Sequence, residues 1–517
     1  MKVLSVAQLY QAHLLTIKNQ DTTELELLER AGVQVFNWMH QRMQGAQVKI
    51  HIFNGIGNNG GVGLILARHL LQHGYNVNNY VVNFSKKRSE GFLKSYENVK
   101  AMKSWPALMT TIEDFPEDIH PDDIIVDAIF GIGLNRKPSA FVNQVFTKIN
   151  ELKSFKLAID IPSGLYGDKT PDSLKNVLKA NYTLSFQSPK HIFFLPQTGI
   201  FTEQWEILDI GLDAEFMTTV EAPQLINKLE VLPMYRKREK FDDKFSYGHA
   251  LLIGGSYGKM GSVQLASKAA LVAGCGLVTA YIPKCGYIPM QTALPEAMVQ
   301  TDINGEEITN ITANGQFNAI GLGIGLGTSK NTTKAVLNFL TENKLPLVLD
   351  ADGLNIVAEN KKIITKLPTQ TIFTPHKQEL TRLVGEWQND FEMLEKTKVF
   401  SIKNDCIVVI KGANTHILYK NEMYINTTGN PGLATAGAGD VLTGMITGLI
   451  AQGYAPLQAA IFGVYLHGKT ADIAVTDTGY QSFIASDAID YVAEAYIDLF
   501  TQPKQETPKE EEGEEKV

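Results

Sequence analysis

The stretch Asn430-Pro-Gly-Leu-Ala-Thr-Ala-Gly-Ala-Gly-Asp440 runs directly into Val441-Leu-Thr-Gly-Met-Ile-Thr-Gly-Leu-Ile450. Glycines and small residues precede a single acid, and apolar residues then recur at helical spacing. The pattern predicts a flexible loop followed by a buried helix, whose first N–H groups and positive dipole end converge on one point. Such a point binds anions, so the stretch predicts a phosphate cradle with Asp440 beside it. The alternative is an ordinary glycine-rich turn that ends in an N-capping Asp.

The rest of the second half alternates short apolar runs with helical patterns, which is typical of a doubly wound parallel sheet. Several of the runs end in glycine or in polar residues, where ligands of such sheets bind. The predicted strands are 249–253, 276–282, 318–321, 345–350, 371–374 and a strand with a polar exit at 406–415.

The first half begins with a helical pattern over residues 1–45, followed by a predicted buried strand at 48–53. A glycine-rich turn (54–63) and a helix (64–73) come next, which together form the phosphate-gripping half of a Rossmann-like unit. Asn58 and Asn59 in this turn can hold a ribose, a pyrophosphate or a cation. A tight turn without a ligand is the alternative.

Two further predicted strands of the first half end in oxygen-bearing side chains. Asp127 lies in the strand at 123–130, ahead of Gly131 and Gly133, and the strand at 156–161 leads to Asp160 and Ser163. Because the carboxyl ends of parallel strands meet at one edge of a sheet, these groups and Asn58/Asn59 are expected at a common rim. Oxygen-bearing side chains and glycines at three strand ends favour one binding site over three unrelated turns.

Bulk properties bound the protein class. A chain of 517 residues is too long for a single hydrophobic core, so two or more domains are expected. Its content of 44% hydrophobic and 20% charged residues is ordinary for a globular protein. A net charge of −8 does not favour nucleic-acid binding. Three cysteines without a CxxC pair favour a reducing compartment. The N-terminus is expected to start a helix rather than a signal peptide, and no apolar run reaches eighteen residues, so we expect a cytoplasmic protein without membrane contact.

Four segments are predicted. A first doubly wound domain spans 1–215, a proline-containing, charged linker 216–240, a second doubly wound domain 241–500 and a disordered acidic tail 501–517.

Residues 430–450 and several motifs of the second half resemble the ribokinase-like superfamily, and within it the ADP/ATP-dependent NAD(P)H-hydrate dehydratases. The motifs that carry the resemblance are 253–256 with Gly261, 321–325, 350–355, 374–376 with Glu379, 411–415 and 430–450. The resemblance implies a ribokinase-like sheet, Mg²⁺, and nucleotide-dependent dehydration of (6S)-NADHX or (6S)-NADPHX to NAD(P)H, with release of AMP (or ADP) and phosphate. It assigns the hydrate to Ser262, Gly325, His376 and Asp440, and the adenine nucleotide to Lys411, Gly412, Ala413, Asn414, Thr415 and Gly439.

The residue types suit that reaction. Hydroxide is a poor leaving group, whereas phosphate departs readily once a phosphoryl group has been transferred to the ring hydroxyl. Asp440 would accept the hydroxyl proton while amides of 437–439 hold the phosphate. For His376 a helix-capping or core role is the alternative.

The first half resembles the NAD(P)H-hydrate epimerases through 28–32, 57–63, 127–133, 160–164 and 189–190. The resemblance implies a potassium ion held by Asn59, Asp127 and Ser163, an oxygen-only set that suits a hard monovalent cation. It implies that Asp160 exchanges the proton that allows C6 to invert. It places the hydrate along Asn58, Asn59, Gly60, Gly61, Val62, Gly131, Ile132, Gly133, Leu134, Asn135, Arg136, Lys137 and Asp160.

One position departs from the epimerase pattern. Val62 stands where the family has Asp, which puts epimerase turnover in doubt.

Together the resemblances imply a bifunctional repair enzyme, a homo-oligomer that binds NADHX or NADPHX and an adenine nucleotide, with ADP favoured over ATP. Two alternatives stay open, namely a ribokinase-like small-molecule kinase and a dehydratase whose first domain is a non-catalytic nucleotide-binding or oligomerisation module.

Overall fold

The computed structural model describes residues 1–501, over which the chain forms seventeen strands and seventeen α-helices. The predicted disordered tail lies outside the described residues, apart from Thr501. The strands are β1 (Ile50–Asn54), β2 (Val77–Val82), β3 (Ala107–Met109), β4 (Ile124–Ala128), β5 (Phe155–Ile159), β6 (Ala180–Phe186), β7 (Thr202–Leu208), β8 (Gln224–Ile226), β9 (His249–Ile253), β10 (Leu277–Ile282), β11 (Met298–Thr301), β12 (Ala319–Leu322), β13 (Leu347–Leu349), β14 (Ile372–Phe373), β15 (Ile407–Ile410), β16 (Thr415–Tyr419) and β17 (Glu422–Asn426).

The helices alternate with the strands along the chain, as predicted for a doubly wound α/β protein. They are α1 (Val6–Asn19), α2 (Glu24–Met43), α3 (Asn58–Gln72), α4 (Glu90–Ala101), α5 (Ala140–Glu151), α6 (Ala214–Thr219), α7 (Lys228–Val231), α8 (Met260–Val272), α9 (Tyr287–Ala293), α10 (Lys330–Glu342), α11 (Ala351–Glu359), α12 (Lys377–Val384), α13 (Asp390–Asn404), α14 (Ala438–Ala451), α15 (Pro456–Ser482), α16 (Ala485–Asp490) and α17 (Val492–Asp498). Across residues 1–501, every helix is too short or too polar to span a membrane.

The chain divides into two compact units. The first comprises residues 1–225 and 376–425, and the second comprises residues 226–375 and the described residues from 426 to 501. The sequence-based domain limits stay a prediction, and the predicted linker at 216–240 contains most of α6 together with β8 and α7.

The first unit contains a parallel sheet with strand order β3-β2-β1-β4-β5-β6-β7. The order reverses between β1 and β4, which is the switch point where ligands of doubly wound sheets bind. The helices α2 and α3 cover one face, because their apolar positions recur every three or four residues and enter a common core with Ile52 and Val126. The predicted Rossmann-like fold of the first half is confirmed by this sheet.

The residues 376–425 of the first unit form α12, α13 and the strands β15, β16 and most of β17, and β15 and β16 are antiparallel. This part packs on the end of the first unit's core, where Ile425 is buried together with Val3 and Phe193. Asp390 and Gln197 exchange two hydrogen bonds, from Gln197 N–H to Asp390 Oδ2 at 2.7 Å and from Asp390 N–H to Gln197 Oε1 at 3.1 Å.

The second unit contains parallel strands in the order β11-β10-β9-β12-β13-β14. The predicted buried helix is confirmed, because α14 is covered along nearly its whole length and packs on α8. A Cβ at Gly444 would lie 2.1 Å from the carbonyl oxygen of Ala266, and one at Gly448 would lie 2.7 Å from that of Ala270. These contacts advance together along both helices, so α8 and α14 run parallel at close range.

One predicted element begins at a different residue. The sequence predicts that the helix after β1 starts at Leu64, but α3 begins at Asn58 and includes the glycines at 60, 61 and 63 in its first turns. The reason is close packing, since a Cβ at Gly60 would lie 1.9 Å from the carbonyl oxygen of Gly55. These glycines therefore let the helix approach the end of β1, despite their poor helix propensity.

Candidate active sites

A cavity of about 830 Å³ opens at the carboxyl ends of β1, β2, β4 and β5 in the first unit. Its position is the switch point of the sheet. The cavity brings together ten of the thirteen predicted epimerase residues, and it does not include Gly60, Gly61 or Lys137 in its lining. The ten are Asn58, Asn59, Val62, Gly131, Ile132, Gly133, Leu134, Asn135, Arg136 and Asp160.

Asp160 is held rigidly at the wall of this cavity. Its backbone φ of +71° lies in the left-handed region, a conformation that costs about 1–3 kcal/mol for a residue with a side chain. Its Oδ2 accepts a hydrogen bond from Ile132 N–H at 2.8 Å, and its Oδ1 lies 3.1 Å from Lys190 Nζ. Both side chains are almost fully buried. Burial lowers the pKa of Lys190, while the adjacent Asp160 carboxylate opposes that change.

Asp127 and Ser163 form a hydrogen-bonded pair beneath the cavity, where both are fully buried. The Ser163 hydroxyl donates to Asp127 Oδ1 at 2.6 Å, and the Ser163 N–H donates to Oδ2 at 2.8 Å. Ile129 N–H donates to Oδ1 at 3.1 Å. Burial raises the pKa of Asp127 to about 6, against the opposing effect of these three hydrogen bonds. No Lys, Arg or His of residues 1–501 forms an ion pair with this carboxylate.

Asn59 faces the cavity from the first turn of α3. Its Nδ2 donates to the carbonyl oxygen of Ile159 at 3.2 Å, which orients the amide oxygen away from that carbonyl. A Cβ at Gly131 would lie 2.6 Å from Asp160 Oδ2 and 3.2 Å from Asn59 Oδ1. The two side-chain oxygens therefore converge on the backbone of Gly131.

Sequence reasoning missed several polar residues that line the cavity. Tyr10 and His13 come from α1, where positions 9, 10, 13, 14 and 17 form one face toward the cavity. Burial lowers the pKa of His13 and raises that of Tyr10. Ser85, Lys87 and Arg88 follow β2. Lys190, which belongs to the 189–190 motif but has no predicted role in the site, follows β6. The strand-end rule could have identified the residues after β2, but no local signal in α1 points to this cavity.

In the second unit, the loop before α14 is braced by side chains. Gly429 N–H and Asn430 Nδ2 donate to the two carboxylate oxygens of Asp472, at 3.0 and 3.2 Å, and Asn430 Oδ1 accepts from Gly432 N–H at 2.9 Å. Gly437 caps the helix with a φ of +91°. Asp440 lies in the first turn of α14, where its charge complements the helix dipole.

Ser262 lies in the first turn of α8, next to Gly325. A Cβ at Gly325 would lie 3.1 Å from Ser262 Oγ, and the backbone of Gly325 has a φ of +58°. Since Gly444 contacts Ala266 and Gly448 contacts Ala270, the same spacing one turn earlier puts Asp440 level with Ser262. Two helix N-termini thus lie side by side, and each offers N–H groups without a helical partner. This arrangement can hold an anion beside a carboxylate.

The predicted residues His376 and Lys411–Thr415 belong to the first unit. His376 caps α12, because its Nδ1 accepts from Gln378 N–H at 3.1 Å and from Glu379 N–H at 3.4 Å. Its Nε2 lies 3.3 Å from Glu379 Oε1, and Lys411 Nζ lies 3.9 Å from Glu379 Oε2. His376 therefore has the helix-capping role that was the alternative for it, through its Nδ1. The buried Glu379 lies between His376 and Lys411 and contacts both. Residues 411–414 connect β15 to β16, and Thr415 is the first residue of β16.

Comparison with known proteins identifies two family matches. Residues 250–494 match the NAD(P)H-hydrate dehydratase family, and residues 24–192 match the family of the YjeF-related protein N-terminus. The bifunctional NAD(P)H-hydrate repair enzyme of Moorella thermoacetica is 31% identical over 95% of this chain and 96% of its own. That of Coxiella burnetii is 32% identical over 90% of this chain and 93% of its own.

A solved structure gives a partial match. The ADP/ATP-dependent NAD(P)H-hydrate dehydratase of Bacillus subtilis, co-crystallized with ATP/Mg²⁺, is 25% identical and covers 54% of this chain and 99% of its own, with a TM-score of 0.47.

Proposed function

This chain belongs to the bifunctional NAD(P)H-hydrate repair enzymes, and we propose from this premise that its two sites act in turn on one damaged dinucleotide. The cavity of the first unit interconverts the R and S epimers of NADHX or NADPHX. The site at α14 then dehydrates the S epimer with ADP or ATP, and it releases NAD(P)H, phosphate and AMP or ADP. The observation that supports this proposal best is the register of α8 and α14, which sets Asp440 level with Ser262 at two adjacent helix N-termini.

The dehydration has a direct chemical account. Asp440 accepts the proton of the C6 hydroxyl, and the hydroxyl oxygen attacks the terminal phosphorus of the nucleotide. The amides at the start of α14 stabilise the charge on the transferred phosphoryl group. The ring nitrogen then donates its electron pair, the C6–O bond breaks with phosphate as the leaving group, and a C5 proton departs to form the C5=C6 bond. In this proposal Ser262 and Gly325 contact the hydrate, and Gly439 contacts the nucleotide. The contacts that the resemblance assigns to His376 and to residues 411–415, which lie in the first unit, stay predictions.

The epimerisation uses the cavity of the first unit. Hydrogen bonding to Ile132 N–H and the contact with Lys190 keep the Asp160 carboxylate in one orientation. We assign to Asp160 the proton exchange at the hydrate that allows C6 to invert. The hydrate lies along Asn58, Asn59 and the backbone of 131–136, where the N-terminus of α3 faces its pyrophosphate.

The residues predicted to hold potassium fit such an ion. Asp127 is a buried carboxylate with a raised pKa and no ion-pair partner among the described side chains, and Asn59 and Ser163 add neutral oxygens. A hard monovalent cation takes oxygen donors of this kind. It would supply a fixed positive charge that neutralises Asp127 next to the strand ends. In the second unit, Mg²⁺ is expected mainly on the phosphates of the nucleotide.

Activity with synthetic epimers tests the proposal. The full chain with ADP or ATP is expected to convert (6S)-NADHX to NADH, which is followed by the return of NADH absorbance. No recovery with either nucleotide favours a ribokinase-like small-molecule kinase. ADP as the preferred nucleotide, a homo-oligomer and a cytoplasmic location stay predictions.

A separate assay addresses the first unit. The R epimer should be consumed faster than it epimerises spontaneously, and an equal rate favours a non-catalytic module. Val62 lines the cavity and is 3% exposed, so the family's Asp is absent from the cavity wall. If turnover is weak, Val62→Asp is expected to raise it, whereas Val62→Ala, which adds no carboxylate, is not.

A further inference from the structure

The segment that follows β2, Asn83-Phe-Ser-Lys-Lys-Arg-Ser89, forms one end of the cavity in the first unit. Ser85, Lys87, Arg88 and Ser89 line the cavity. Lys86 and Lys87 are both exposed, but Lys86 does not line the cavity. Ser89 caps α4 by accepting a hydrogen bond from Phe92 N–H at 3.1 Å, so this helix begins at the same end. Two cations, two hydroxyls and a helix N-terminus therefore meet there.

Neither of the two cations that line the cavity, Lys87 and Arg88, forms an ion pair with a carboxylate within residues 1–501. The Arg88 guanidinium is held by neutral oxygens, with Nη2 2.9 Å from Asn83 Oδ1 and Nη1 3.4 Å from the carbonyl oxygen of Lys86. The two carboxylates of the cavity lining are engaged elsewhere. Glu24 accepts from Asn58 Nδ2 at 2.7 Å, and Asp160 contacts Lys190. The β2 end of the cavity therefore carries two cations that contact no carboxylate of the cavity lining.

The position of this charge in the fold gives it a specific meaning. In doubly wound dinucleotide-binding sheets, the pyrophosphate lies at the helix after the first strand, and the adenosine ribose extends toward the end of the next strand. An acid at that strand end binds the ribose 2′-hydroxyl, whereas an Arg accommodates a 2′-phosphate. Residues 83–89 contain no acid. Glu90, the first acid after them, does not line the cavity.

We infer that the epimerase cavity is built for NADPHX rather than NADHX, with the 2′-phosphate bound between Lys87 and Arg88. This inference rests on the proposed function, and it adds a choice between the two substrates. The nicotinamide end lies at Asp160, the pyrophosphate at the start of α3, and the 2′-phosphate at the β2 end. A phosphate monoester carries nearly two negative charges at neutral pH, so two charge-assisted contacts give it a substantial advantage over a hydroxyl.

Epimerisation of each R epimer by the full chain, measured without added nucleotide so that the dehydratase stays idle, tests the inference. Chromatographic separation of the R and S epimers gives the rate. The wild type is expected to favour R-NADPHX over R-NADHX by at least tenfold in kcat/KM. In K87A/R88A the rate with R-NADPHX is expected to fall to the level of R-NADHX, while the rate with R-NADHX changes by less than twofold.

Matched variants separate this role from a general effect of charge or folding. Lys86→Ala removes an exposed cation from the same segment and should leave the ratio unchanged. Arg88→Lys should retain part of the preference, because a single cation persists. Equal kcat/KM values for both substrates in the wild type would overturn the inference and leave the proposed function intact. A double variant that slows both substrates equally would also overturn it.

The inference can be tested even if neither hydrate is epimerised above the spontaneous rate, a result that would refute the epimerase part of the proposed function. Calorimetric titration with NADP⁺ and NAD⁺ then provides the measurement. Wild type should bind NADP⁺ more tightly, and K87A/R88A should lose affinity for NADP⁺ alone. The second unit is the same in both proteins, so its own nucleotide affinity cancels in this comparison.

Discussion

The two candidate sites differ in the groups that they offer to a phosphorylated substrate. In the first unit the chemistry depends on side chains, because Asp160 and Asp127 are buried and fixed by hydrogen bonds to neighbouring loops. In the second unit it depends largely on backbone, since two parallel helices present their N-termini around the single carboxylate of Asp440. The first site is therefore sensitive to the loss of a carboxylate, and the second also to the gain of a Cβ.

This difference separates the two activities experimentally. A change at Asp440 or at Asp160 should leave the other reaction intact, because each of these carboxylates lies in a different compact unit. The activity of the other unit is therefore the internal control for a variant at either carboxylate.

The largest effect is expected from Asp440→Asn. The amide keeps the size of the side chain but cannot accept the hydroxyl proton, so dehydration should fall by about 10²–10⁴-fold, the usual contribution of a general base. Epimerisation should not change. The measurement is NADH recovery from the S epimer with saturating ADP or ATP. The control is Asp490→Asn, which alters a half-exposed carboxylate of the same unit. Native-rate dehydration by Asp440→Asn would refute the proposed base.

A somewhat smaller effect is expected from Asp160→Asn, because R and S hydrates also epimerise spontaneously. The variant loses the proton acceptor and leaves Lys190 without its charge partner, so enzymatic epimerisation should fall by roughly 10²-fold. Dehydration of the S epimer should continue at the native rate, which also shows that the protein is folded. Asp122→Asn, at a side chain that is 91% exposed, is the matched control. An unchanged epimerisation rate would contradict the role assigned to Asp160.

Adding a methyl group tests the backbone character of the second site. Gly437 has a φ of +91°, and its Cβ would lie 2.6 Å from Leu265 Cδ1. Gly437→Ala is therefore expected to cost about 1–3 kcal/mol of stability and to lower dehydration about tenfold by displacing the start of α14. Epimerisation should persist. Gly305→Ala, where a Cβ meets no atom within 4 Å, should do neither. A fully active, equally stable Gly437→Ala would argue against a cradle formed by this turn.

Several features were predictable from sequence because they follow local rules. The run of small residues before Asp440 indicated the α14 N-terminus, and the polar ends of β4 and β5 indicated the rim that contains Asp160. Other features depend on packing between distant segments. The start of α3 at Asn58 results from its approach to Gly55, which outweighs the low helix propensity of glycine. The placement of Tyr10 and His13 over the cavity is a consequence of where α1 docks.

The same limit applies to residues 376–425. Their sequence resembles the dehydratase branch, yet they belong to the compact unit that holds the epimerase cavity. The reciprocal hydrogen bonds between Asp390 and Gln197 join positions almost two hundred residues apart. No periodicity or motif in either segment indicates such a contact, because each half of the pair is an ordinary polar residue by itself.

The smallest effect concerns the ion predicted at Asp127, and it sharpens the contrast between a side-chain site and a backbone site. The pKa of Asp127 is about 6 in the folded protein, against an ordinary value of 3.8. Between pH 4 and 6 the folded chain therefore retains a proton that the unfolded chain releases, so stability falls as pH rises through this range. Above pH 6 the full penalty for the buried charge, about 3 kcal/mol, is present.

A potassium ion beside the carboxylate would offset that penalty only where Asp127 is ionised. Melting temperature should therefore rise by a few degrees when KCl replaces choline chloride at pH 7.5, and by much less at pH 5, where the proton displaces the ion. Asp127→Asn should abolish the potassium response at both pH values, while Asp122→Asn should keep it. A response of equal size at both pH values would mean that potassium stabilises the protein at a group other than Asp127.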